Sequence, residues 1–247
     1  MKNQKLKAIL SATGYFLLIL ALCFSGALIF HSYYYESIYV SGSSMSPTLN
    51  GSDYEQSGSI VDIGIVDNHR SAINHIERFD IITTYYPEDY TYSGELLSNA
   101  KKKIKRVIAL PGETFKITYG ILEVLGENGF EEIDYPFKTQ PAVETSYIGK
   151  DTIFDITLGE DEYWVLGDNR ENSRDCGTTG IPITKDNIYG VLVAIEGTGE
   201  LYVKRYICED CGKEYSGGNG MICPECGGSV VADFAIKNKH YHWPKYY

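Results

Sequence analysis

Apolar residues are concentrated in one long stretch near the start of this 247-residue chain. No charged residue occurs from Ala8 to Phe30, and a helix of that length is about 35 Å long, against a hydrocarbon core of about 30 Å. Lysines precede the stretch at positions 2, 5 and 7, and the next Lys or Arg is Arg70. Because positive charge favours the cytoplasmic side, the pattern predicts a single-pass cell-membrane protein with a cytoplasmic N-terminus and an extracytoplasmic remainder.

A cleaved signal peptide is the alternative interpretation of this stretch. The apolar region of a signal peptide is usually only about 7 to 15 residues long and ends at a small-x-small site. Here the run is longer, and it continues into Tyr33, Tyr34 and Tyr35, which are typical of an aromatic belt at a membrane interface. We therefore favour an uncleaved anchor over residues 8–30, with the lipid bilayer as a partner.

The pattern changes after Phe30 to short runs rich in β-branched and aromatic residues, separated by clusters of Gly, Pro, Asn and Asp. Such runs are typical of a mainly β, mostly antiparallel domain. The predicted strands are Ile38–Val40, Ile60–Val66, Phe79–Thr84, Ile104–Leu110, Phe115–Val124, Tyr163–Leu166, Tyr189–Ile195 and Leu201–Tyr206. Asn68–Glu77 is predicted to hold a helical turn, and Tyr86–Ala100 and Gly126–Glu160 to be loops or a hairpin insertion.

Composition predicts five parts: a cytoplasmic N-terminus (1–7), the anchor (8–30), an extracytoplasmic β domain (31–205), a cysteine segment (206–230) and a C-terminal tail (231–247). The formal net charge of -11 argues against nucleic acid as a partner and against adhesion to anionic lipid through a basic surface. The tail from Lys237 onwards is nevertheless basic and aromatic. It is either a final strand or a second contact with the membrane interface.

Serines at positions 41, 43, 44 and 46 lie close together in a segment that also contains Gly42 and Pro47. A serine and glycine cluster is by default a turn. Gly42 permits a close backbone approach and Pro47 restricts the residue before it, which is compatible with presenting a serine to a substrate carbonyl. A serine becomes a good nucleophile only when a base removes its proton. None of the five histidines lies in a segment typical of such a base.

Lys105 is the candidate base. A lysine can take this role only if burial or nearby positive charge brings its pKa down from about 10.4. Alternation along the predicted strand Ile104–Leu110 puts Lys105 on the same face as Val107 and Ala109. Arg106 lies on the other face, among aliphatic residues. Both faces are largely apolar, so we expect a buried strand; the alternative is a lysine that snorkels from the end of a strand.

A third segment, Gly167–Asp175, places a dense polar run directly after the apolar strand Tyr163–Leu166. By itself this run could be a solvated turn with ion pairs. Together, however, the three segments closely resemble, in order and content, the type I signal peptidase family. The resemblance extends from about Tyr39 to Val193.

Three motifs carry this resemblance. Gly-x-Ser-Met-x-Pro-Thr contains Ser44, and Lys-Arg-Val-Ile-x-Leu-Pro-Gly contains Lys105. Gly-Asp-Asn-Arg-x-Asn-Ser-x-Asp contains four candidate supporting residues, Asp168, Arg170, Ser173 and Asp175. By resemblance, Ser44 is the nucleophile, Lys105 is its general base, and Ser173 donates or accepts a hydrogen bond with that lysine.

The first motif leaves one catalytic group open. The Ser44 N–H is expected to be one oxyanion donor, by analogy with other serine hydrolases. Some family members add a hydroxyl from two positions before the nucleophile, where this chain has Gly42. The second donor is therefore either a backbone amide or the Ser43 hydroxyl.

Two further departures from the family pattern affect the surroundings of the site. Phe79 replaces the glycine of the family's Arg-Gly-Asp-Ile-Val strand, and Cys176-Gly177 replaces a Ser-Arg pair. An arginine that would pair with the nearby aspartates is thus missing, and we expect Arg174 or Arg170 to compensate. Cys176 is either a reactive thiol or, as we favour, a small buried residue.

The cysteine segment contains two CxxC turns, each followed by glycine and separated by eleven residues: Cys208, Cys211, Cys223 and Cys226. Four thiolates in two tight turns match the ligands of tetrahedral zinc in a zinc ribbon. An oxidising exterior also allows two disulfides, but CxxC disulfides are strained and usually redox-active. We therefore predict a structural or partner-binding zinc that takes no part in catalysis.

The resemblance implies the signal peptidase β-fold, which the LexA-type self-cleaving repressors share. It also implies cleavage of exported preproteins after a small-x-small site, no cofactor for catalysis, and the secretion translocon as a further candidate partner. Two alternatives remain: a dedicated peptidase for one or a few clients such as a pilin-like subunit, and a catalytically silent adaptor that binds a partner through the zinc ribbon.

Overall fold

The computed structural model describes residues 2–51, 57–97, 100–118, 121–134, 152–217 and 219–246. The chain forms two compact units, Met1–Glu36 and Ser37–Tyr247. Parts of both predicted loop regions, residues 98–99 and 135–151, lie outside the described residues, as do residues 119–120 of one predicted strand.

The first unit consists mainly of one helix, α1 (Lys2–Tyr34). Its segment Thr13–Tyr34 has 22 residues and includes an 18-residue window with a mean hydropathy of 2.2, so it is long and apolar enough to cross a membrane. No other helix in the described part of the chain meets that test. The helix extends beyond the predicted residues 8–30 at both ends because neither flank contains proline or glycine to break it.

The second unit is built around a nine-stranded sheet. Its strands are β1 (Tyr35–Tyr39), β2 (Ile60–Asp67), β3 (Ile81–Thr84), β4 (Lys103–Ala109), β9 (Glu162–Leu166), β10 (Ile183–Thr184), β11 (Ile188–Cys208), β12 (Glu214–Tyr215) and β13 (Val230–Tyr246). Seven of them follow the order β1-β2-β11-β3-β4-β9-β10, while β12 and β13 both pair with β11. The pairs from β2 to β13 are antiparallel, as predicted.

Strand β11 corrects one prediction, because it is a single strand of 21 residues where the sequence predicts two. The intervening glycines Gly197 and Gly199 suggest a turn, yet both lie within the strand. A Cβ atom on Gly197 would come within 2.4 Å of the carbonyl oxygen of His240, and one on Gly199 within 2.1 Å of the side chain of Ile236. These glycines therefore allow β13 to approach β11 closely.

A separate four-stranded sheet corrects a second prediction. The run predicted as one strand over Phe115–Val124 is two strands, β5 (Thr114–Thr118) and β6 (Ile121–Gly126), which pair with each other. With β7 (Gly129–Ile133) and β8 (Thr152–Thr157) they form a sheet in the order β7-β6-β5-β8. Of the two alternatives for residues 126–160, the described part thus favours a hairpin insertion.

Short helices connect the strands, and two apolar clusters hold the unit together. The helices are α2 (Arg70–Asn74), which lies in the predicted helical segment, and α3 (Cys176–Thr179); single 3-10 turns occupy Pro87–Asp89, Arg170–Asn172 and Lys185–Asn187. The larger cluster contains Val107, Phe115 and Trp164. The smaller one contains Met45 and Leu49 and packs the turn after β1 against the main sheet.

We expect Gly197→Ala to destabilise the protein by about 1–3 kcal/mol, because the added methyl group must displace a backbone oxygen of β13. Gly217→Ala is the matched control, since a Cβ atom there meets nothing within 4 Å, and its effect should stay within about 0.5 kcal/mol. Denaturant unfolding of the full chain in detergent would measure both. Equal stability of the two variants would contradict the close approach of β11 and β13.

Candidate active site

Ser44 lies in a tight turn that follows β1. Gly42 begins the turn with a φ of 78°, a left-handed conformation that favours glycine. A Cβ atom there would meet nothing within 4 Å, so the backbone conformation is what requires glycine at this position. Met45, at 1% exposure, anchors the turn in the core directly after Ser44. The turn thus holds the Ser44 backbone while its half-buried side chain remains accessible.

Lys105 comes from β4, and its side chain reaches Ser44 directly. Its Nζ atom lies 2.9 Å from Ser44 Oγ and 2.8 Å from the carbonyl oxygen of Ile104. The residue is only 3% exposed, because β4 is paired on both sides, with β3 and with β9. Lys105 therefore does not snorkel to solvent.

Burial changes the protonation of this lysine. Loss of hydration lowers the pKa of Lys105 to about 8, although the nearby Asp175 carboxylate acts in the opposite direction. A lysine in water has a pKa of about 10.4. Near neutral pH, a useful fraction of Lys105 is therefore an uncharged amine, which can accept a proton from the hydroxyl 2.9 Å away.

The polar segment after β9 clamps the turn of the nucleophile. The backbone N–H of Asn169 donates to Ser44 O over 2.9 Å, and its side-chain amide donates to Ser43 O over 3.1 Å. The Asn172 amide donates to the Ser43 hydroxyl over 2.7 Å. The sequence analysis did not single out Asn169 or Asn172, because the polar run alone does not indicate which surface it faces.

Arg106 is a third residue of the site that was not predicted from the sequence. Its guanidinium donates two hydrogen bonds to Asp168, over 2.8 and 2.6 Å, and a third to Phe79 O over 2.8 Å. Both charged side chains are almost fully buried, at 2% and 0% exposure. Phe79 itself has a φ of 75°, a conformation that favours the glycine of the family pattern.

The arginine that pairs with Asp168 is therefore Arg106, which lies in β4. The expected compensation by Arg170 remains a prediction. Arg174 instead forms a surface ion pair with Glu88 over 2.9 Å, and Arg170 opens the 3-10 turn Arg170–Asn172. Asp175 is buried and accepts hydrogen bonds from Gly167 N over 2.9 Å and Gly177 N over 3.1 Å. Its carboxylate is thereby held by backbone amides.

Ser173 and Gly167 lie beside the nucleophile turn. Ser173 is 6% exposed. A Cβ atom on Gly167 would come within 2.2 Å of Ser173 Oγ and 2.5 Å of Ser44 O. Gly167 thus allows the segment Gly167–Asp175 to approach the turn of Ser44, which is far from it in the sequence. The proposed hydrogen bond between Ser173 and Lys105 remains a prediction.

Cys176 is a small buried residue and not an exposed thiol. It is 1% exposed, and its sulfur accepts a hydrogen bond from Val165 N over 3.4 Å. Burial raises the pKa of the Cys176 thiol to about 12. Because the thiolate is the nucleophilic form, this cysteine is unreactive near neutral pH.

The four cysteines of the two CxxC turns come together at the end of the β11–β13 hairpin. All four sulfur atoms lie within 4.8 Å of one another, and none forms a disulfide. Gly212 N donates to Cys208 O and Gly227 N to Cys223 O, each over 2.9 Å, which closes both CxxC turns. Zinc–sulfur bonds of about 2.3 Å in a tetrahedron imply sulfur separations of about 3.8 Å. The nearest pairs here are 3.4 and 3.7 Å apart, so the donor set fits zinc.

Comparisons with known proteins agree with the motifs. The family model described as signal peptidase, peptidase S26, matches residues 10–195. Signal peptidase I P of Bacillus subtilis subsp. natto is 28% identical over 171 residues, which cover 66% of this chain and 77% of that protein. Signal peptidase I V of Bacillus subtilis strain 168 is 33% identical over 156 residues, 62% of this chain and 80% of that protein.

Solved structures were also matched. One of them is a signal peptidase I from Enterococcus faecalis V583, with 26% identity, a TM-score of 0.35, and coverage of 47% of this chain and 96% of that one. A TM-score this low carries no argument about the fold. The family match ends before Cys208, so the cysteine segment lies outside it.

The depressed pKa of Lys105 predicts a pH-dependent cost in stability. Below pH 8 the amine is protonated in both the folded and the unfolded state, and the fold bears the full cost of burying an ammonium. Between about pH 8 and 10.4 only the unfolded state keeps its proton, so stability rises with pH. Lys105→Met should therefore be the more stable protein near pH 7, by up to a few kcal/mol, and its advantage should shrink as the pH approaches 10.

Unfolding of the full chain in denaturant, followed from pH 6 to 10, would measure this difference. Lys116→Met is the control, since Lys116 is a partly exposed surface residue paired with Glu123. The difference in unfolding free energy between this variant and wild type should not shrink between pH 8 and 10. A Lys105→Met advantage that is independent of pH would contradict the depressed pKa.

Proposed function

This chain belongs to the signal peptidase, peptidase S26, family, and we propose on that premise that Ser44 is the nucleophile and Lys105 the general base of its reaction. Its function is that of a signal peptidase I, a serine endopeptidase that acts on exported preproteins. The observation that carries the residue assignment is the 2.9 Å separation of Lys105 Nζ and Ser44 Oγ. Because this lysine is 3% exposed, water competes little for its amine.

The reaction follows from these two groups. Neutral Lys105 accepts the Ser44 proton as Ser44 Oγ attacks the carbonyl carbon of the scissile bond. The resulting ammonium then protonates the leaving amine, which becomes the N-terminus of the mature protein, and the signal peptide stays bound as an ester of Ser44. Lys105, neutral again, takes a proton from a water molecule whose oxygen attacks the ester carbonyl carbon. It then returns this proton to Ser44 Oγ as the bond between Oγ and the acyl carbon breaks, and the signal peptide leaves with a free carboxyl group. We expect cleavage to follow a small-x-small site.

Oxyanion stabilisation is assigned to the Ser44 N–H and the Ser43 hydroxyl. Ser43 Oγ accepts a hydrogen bond from the Asn172 amide, which fixes the oxygen and leaves its proton to be donated. Ser43 is 7% exposed, and a hydrogen bond in such a site is stronger than in water. The clamp from Asn169 and Asn172 thus supports Ser43 over a further backbone amide as the second donor.

The protein is placed in the cell membrane as a single-pass protein. Homologous signal peptidases I are membrane-anchored, and α1 supplies an apolar segment of sufficient length. The lysines at positions 2, 5 and 7 support a cytoplasmic N-terminus. The catalytic unit then faces the extracytoplasmic side, where preproteins emerge from the secretion translocon.

A structural zinc ion is assigned to Cys208, Cys211, Cys223 and Cys226. Four thiolates leave no open coordination position, so the ion would act on stability alone. It would join the end of β11 to the start of β13 and thereby close the tip of the hairpin. The zinc ribbon is thus an appendage on the peptidase fold.

A dedicated peptidase for one or a few clients is the second candidate function. It is favoured by the cysteine segment, which lies outside the matched family region, and by the altered Cys176-Gly177 pair. A catalytically silent adaptor is disfavoured, because Ser44 and Lys105 are hydrogen-bonded to each other and a site without selection would tolerate their loss.

The proposed catalytic roles can be tested by cleavage of a model preprotein by the full chain in detergent. Wild type should cut after the small-x-small site, and both Ser44→Ala and Lys105→Ala should lose essentially all activity, because each removes a group that acts in bond cleavage. Ser43→Ala should lower kcat by about 10²-fold, as expected for loss of an oxyanion donor. For the wild type, kcat/KM should fall about tenfold per pH unit below pH 8, as Lys105 becomes protonated.

Lys116→Gln is the control and should retain wild-type cleavage and pH dependence. Full activity of Lys105→Ala would exclude the proposed base. If the folded wild type leaves a generic preprotein intact but cuts a specific client, the dedicated-peptidase alternative is correct.

The proposed zinc site can be tested by metal analysis. The purified full chain should contain one zinc ion per molecule by elemental analysis, and Cys211→Ser should lose it and unfold at a lower temperature. Cys23→Ser is the matched control, since Cys23 lies in α1, and should keep the zinc. Absence of metal together with no titratable thiol among the four cysteines would instead establish two disulfides.

A further inference from the structure

The C-terminal end of β13 exposes aromatic side chains in a way that the peptidase reaction does not explain. Trp243 is 93% exposed and Tyr241 is 62% exposed. Lys245 pairs with Ile195 and Tyr241 with Gly197, so residues 242–244 of β13 stand opposite the single residue Glu196. This bulge carries Trp243 outward, whereas the only other tryptophan, Trp164, is 2% exposed. We call residues 237–245 the C-terminal patch.

The charge of this patch is opposite to that of the whole protein. It contains three lysines and two histidines and no acidic residue, in a chain of net charge -11. Lys237 pairs with Glu200 over 3.1 Å, while Lys239 and Lys245 are exposed. The net charge argues against general adhesion to anionic lipid, and the patch is a local exception to it.

Lysines and bulges are also common on protected edge strands, where they prevent aggregation. That role does not account for a fully exposed indole, which would itself favour aggregation. Tryptophan and tyrosine beside lysine are instead the side chains enriched where membrane meets water, since the rings enter the headgroup region and the ammonium groups stay with the phosphates.

The bulge of the C-terminal patch contacts the segment that follows α1 in the chain. Glu196, opposite the bulge, accepts a hydrogen bond from Ser37 Oγ over 2.7 Å. Ser37 follows Tyr34, the last residue of α1, by three positions, which an extended chain spans in about 10 Å. The bulge of β13 therefore lies beside Ser37, a residue that is three positions from the end of α1 in the sequence.

We propose that the C-terminal patch is a second membrane contact, in which Trp243 and Tyr241 enter the headgroup region and Lys239 and Lys245 bind anionic phospholipid. Two attachments, α1 and the patch, would restrict rotation of the catalytic unit about the short connection at Ser37. The contact would thereby set the height and direction of Ser44 relative to a preprotein in the bilayer. This inference does not depend on the assignment of the catalytic groups.

Tryptophan fluorescence of the full chain in lipid vesicles tests the proposal directly, because α1 contains no tryptophan. Trp164→Phe leaves Trp243 as the single reporter; the buried Trp164 Nε1 has no hydrogen-bond partner among the described residues, so this change removes none. In vesicles with phosphatidylglycerol, Trp243 emission should shift to the blue and be quenched by lipids brominated near the headgroup. Trp243→Phe, which leaves only Trp164, is the matched control and should not be quenched.

The lipid dependence tests the role of the lysines. Quenching of Trp243 should weaken several-fold in pure phosphatidylcholine and with Lys239→Gln combined with Lys245→Gln. Equal quenching in both lipids would overturn the anionic-lipid part of the proposal. An unquenched, water-like Trp243 emission would overturn the contact itself, and a blue shift that depends on protein concentration in detergent would assign the patch to a second copy of the chain.

Activity measurements on two substrates distinguish a role of the C-terminal patch in orienting the catalytic unit from a role in the reaction itself. Trp243→Ala should lower cleavage of a preprotein embedded in phosphatidylglycerol vesicles several-fold, and should leave cleavage of a short soluble peptide unchanged. Equal loss on both substrates would show damage to the catalytic unit and would contradict a role in orientation. Loss of activity in Ser44→Ala with unchanged Trp243 quenching would show that the contact and the reaction are independent.

Discussion

Burial of the Lys105 amine is the constraint on which the rest of the active site depends. Strand β4 contains two adjacent buried basic residues, Lys105 and Arg106, whose side chains lie on opposite faces and have different environments. Arg106 remains charged there because Asp168 neutralises it with two hydrogen bonds. Lys105 instead contacts a hydroxyl and a carbonyl, which do not offset the lost hydration of an ammonium. Arg106 therefore stays charged inside the sheet, whereas burial favours the neutral form of Lys105. This burial lowers the stability of the protein, but it produces the neutral amine that the proposed reaction needs.

The position of Ser44, the proposed nucleophile, depends on a segment more than 120 positions further along the chain. The Ser43–Ser44 turn receives three hydrogen bonds from Asn169 and Asn172. Those asparagines follow Gly167, which can come this close only because it lacks a side chain. The Arg106–Asp168 pair joins the same segment to β4. A shift of any one of the three segments would therefore separate Ser44 from Lys105, which explains why the motifs occur together.

The sequence was most informative where local pattern decides the structure. Alternation around Lys105 predicted its buried strand, and the cysteine spacing predicted four sulfur atoms that come together. The sequence was least informative about residues whose partners are far along the chain. Arg106 becomes the partner of Asp168 because β4 pairs with β9, and no local pattern in the sequence predicts that pairing. Gly197 and Gly199 were misinterpreted for the same reason, because a glycine required by a neighbouring strand cannot be distinguished in sequence from one required by a turn.

Strand β11 joins the parts of this protein that differ most in function. Its first half pairs with β2 and β3 within the catalytic unit, and its second half continues with β13 to the cysteine cluster. From Glu196 beside the bulge to Cys208, twelve steps of about 3.3 Å make a ribbon about 40 Å long, somewhat shortened by the irregularities in its register. If the bulge end rests on lipid, the cysteine end cannot share that contact unless the ribbon lies flat along the bilayer. Beyond Glu200, where its pairing with β2 ends, β11 pairs with β13 and, at Tyr206 and Ile207, with the short strand β12. So small an extension is only marginally stable by itself, and the proposed zinc ion would stabilise its tip.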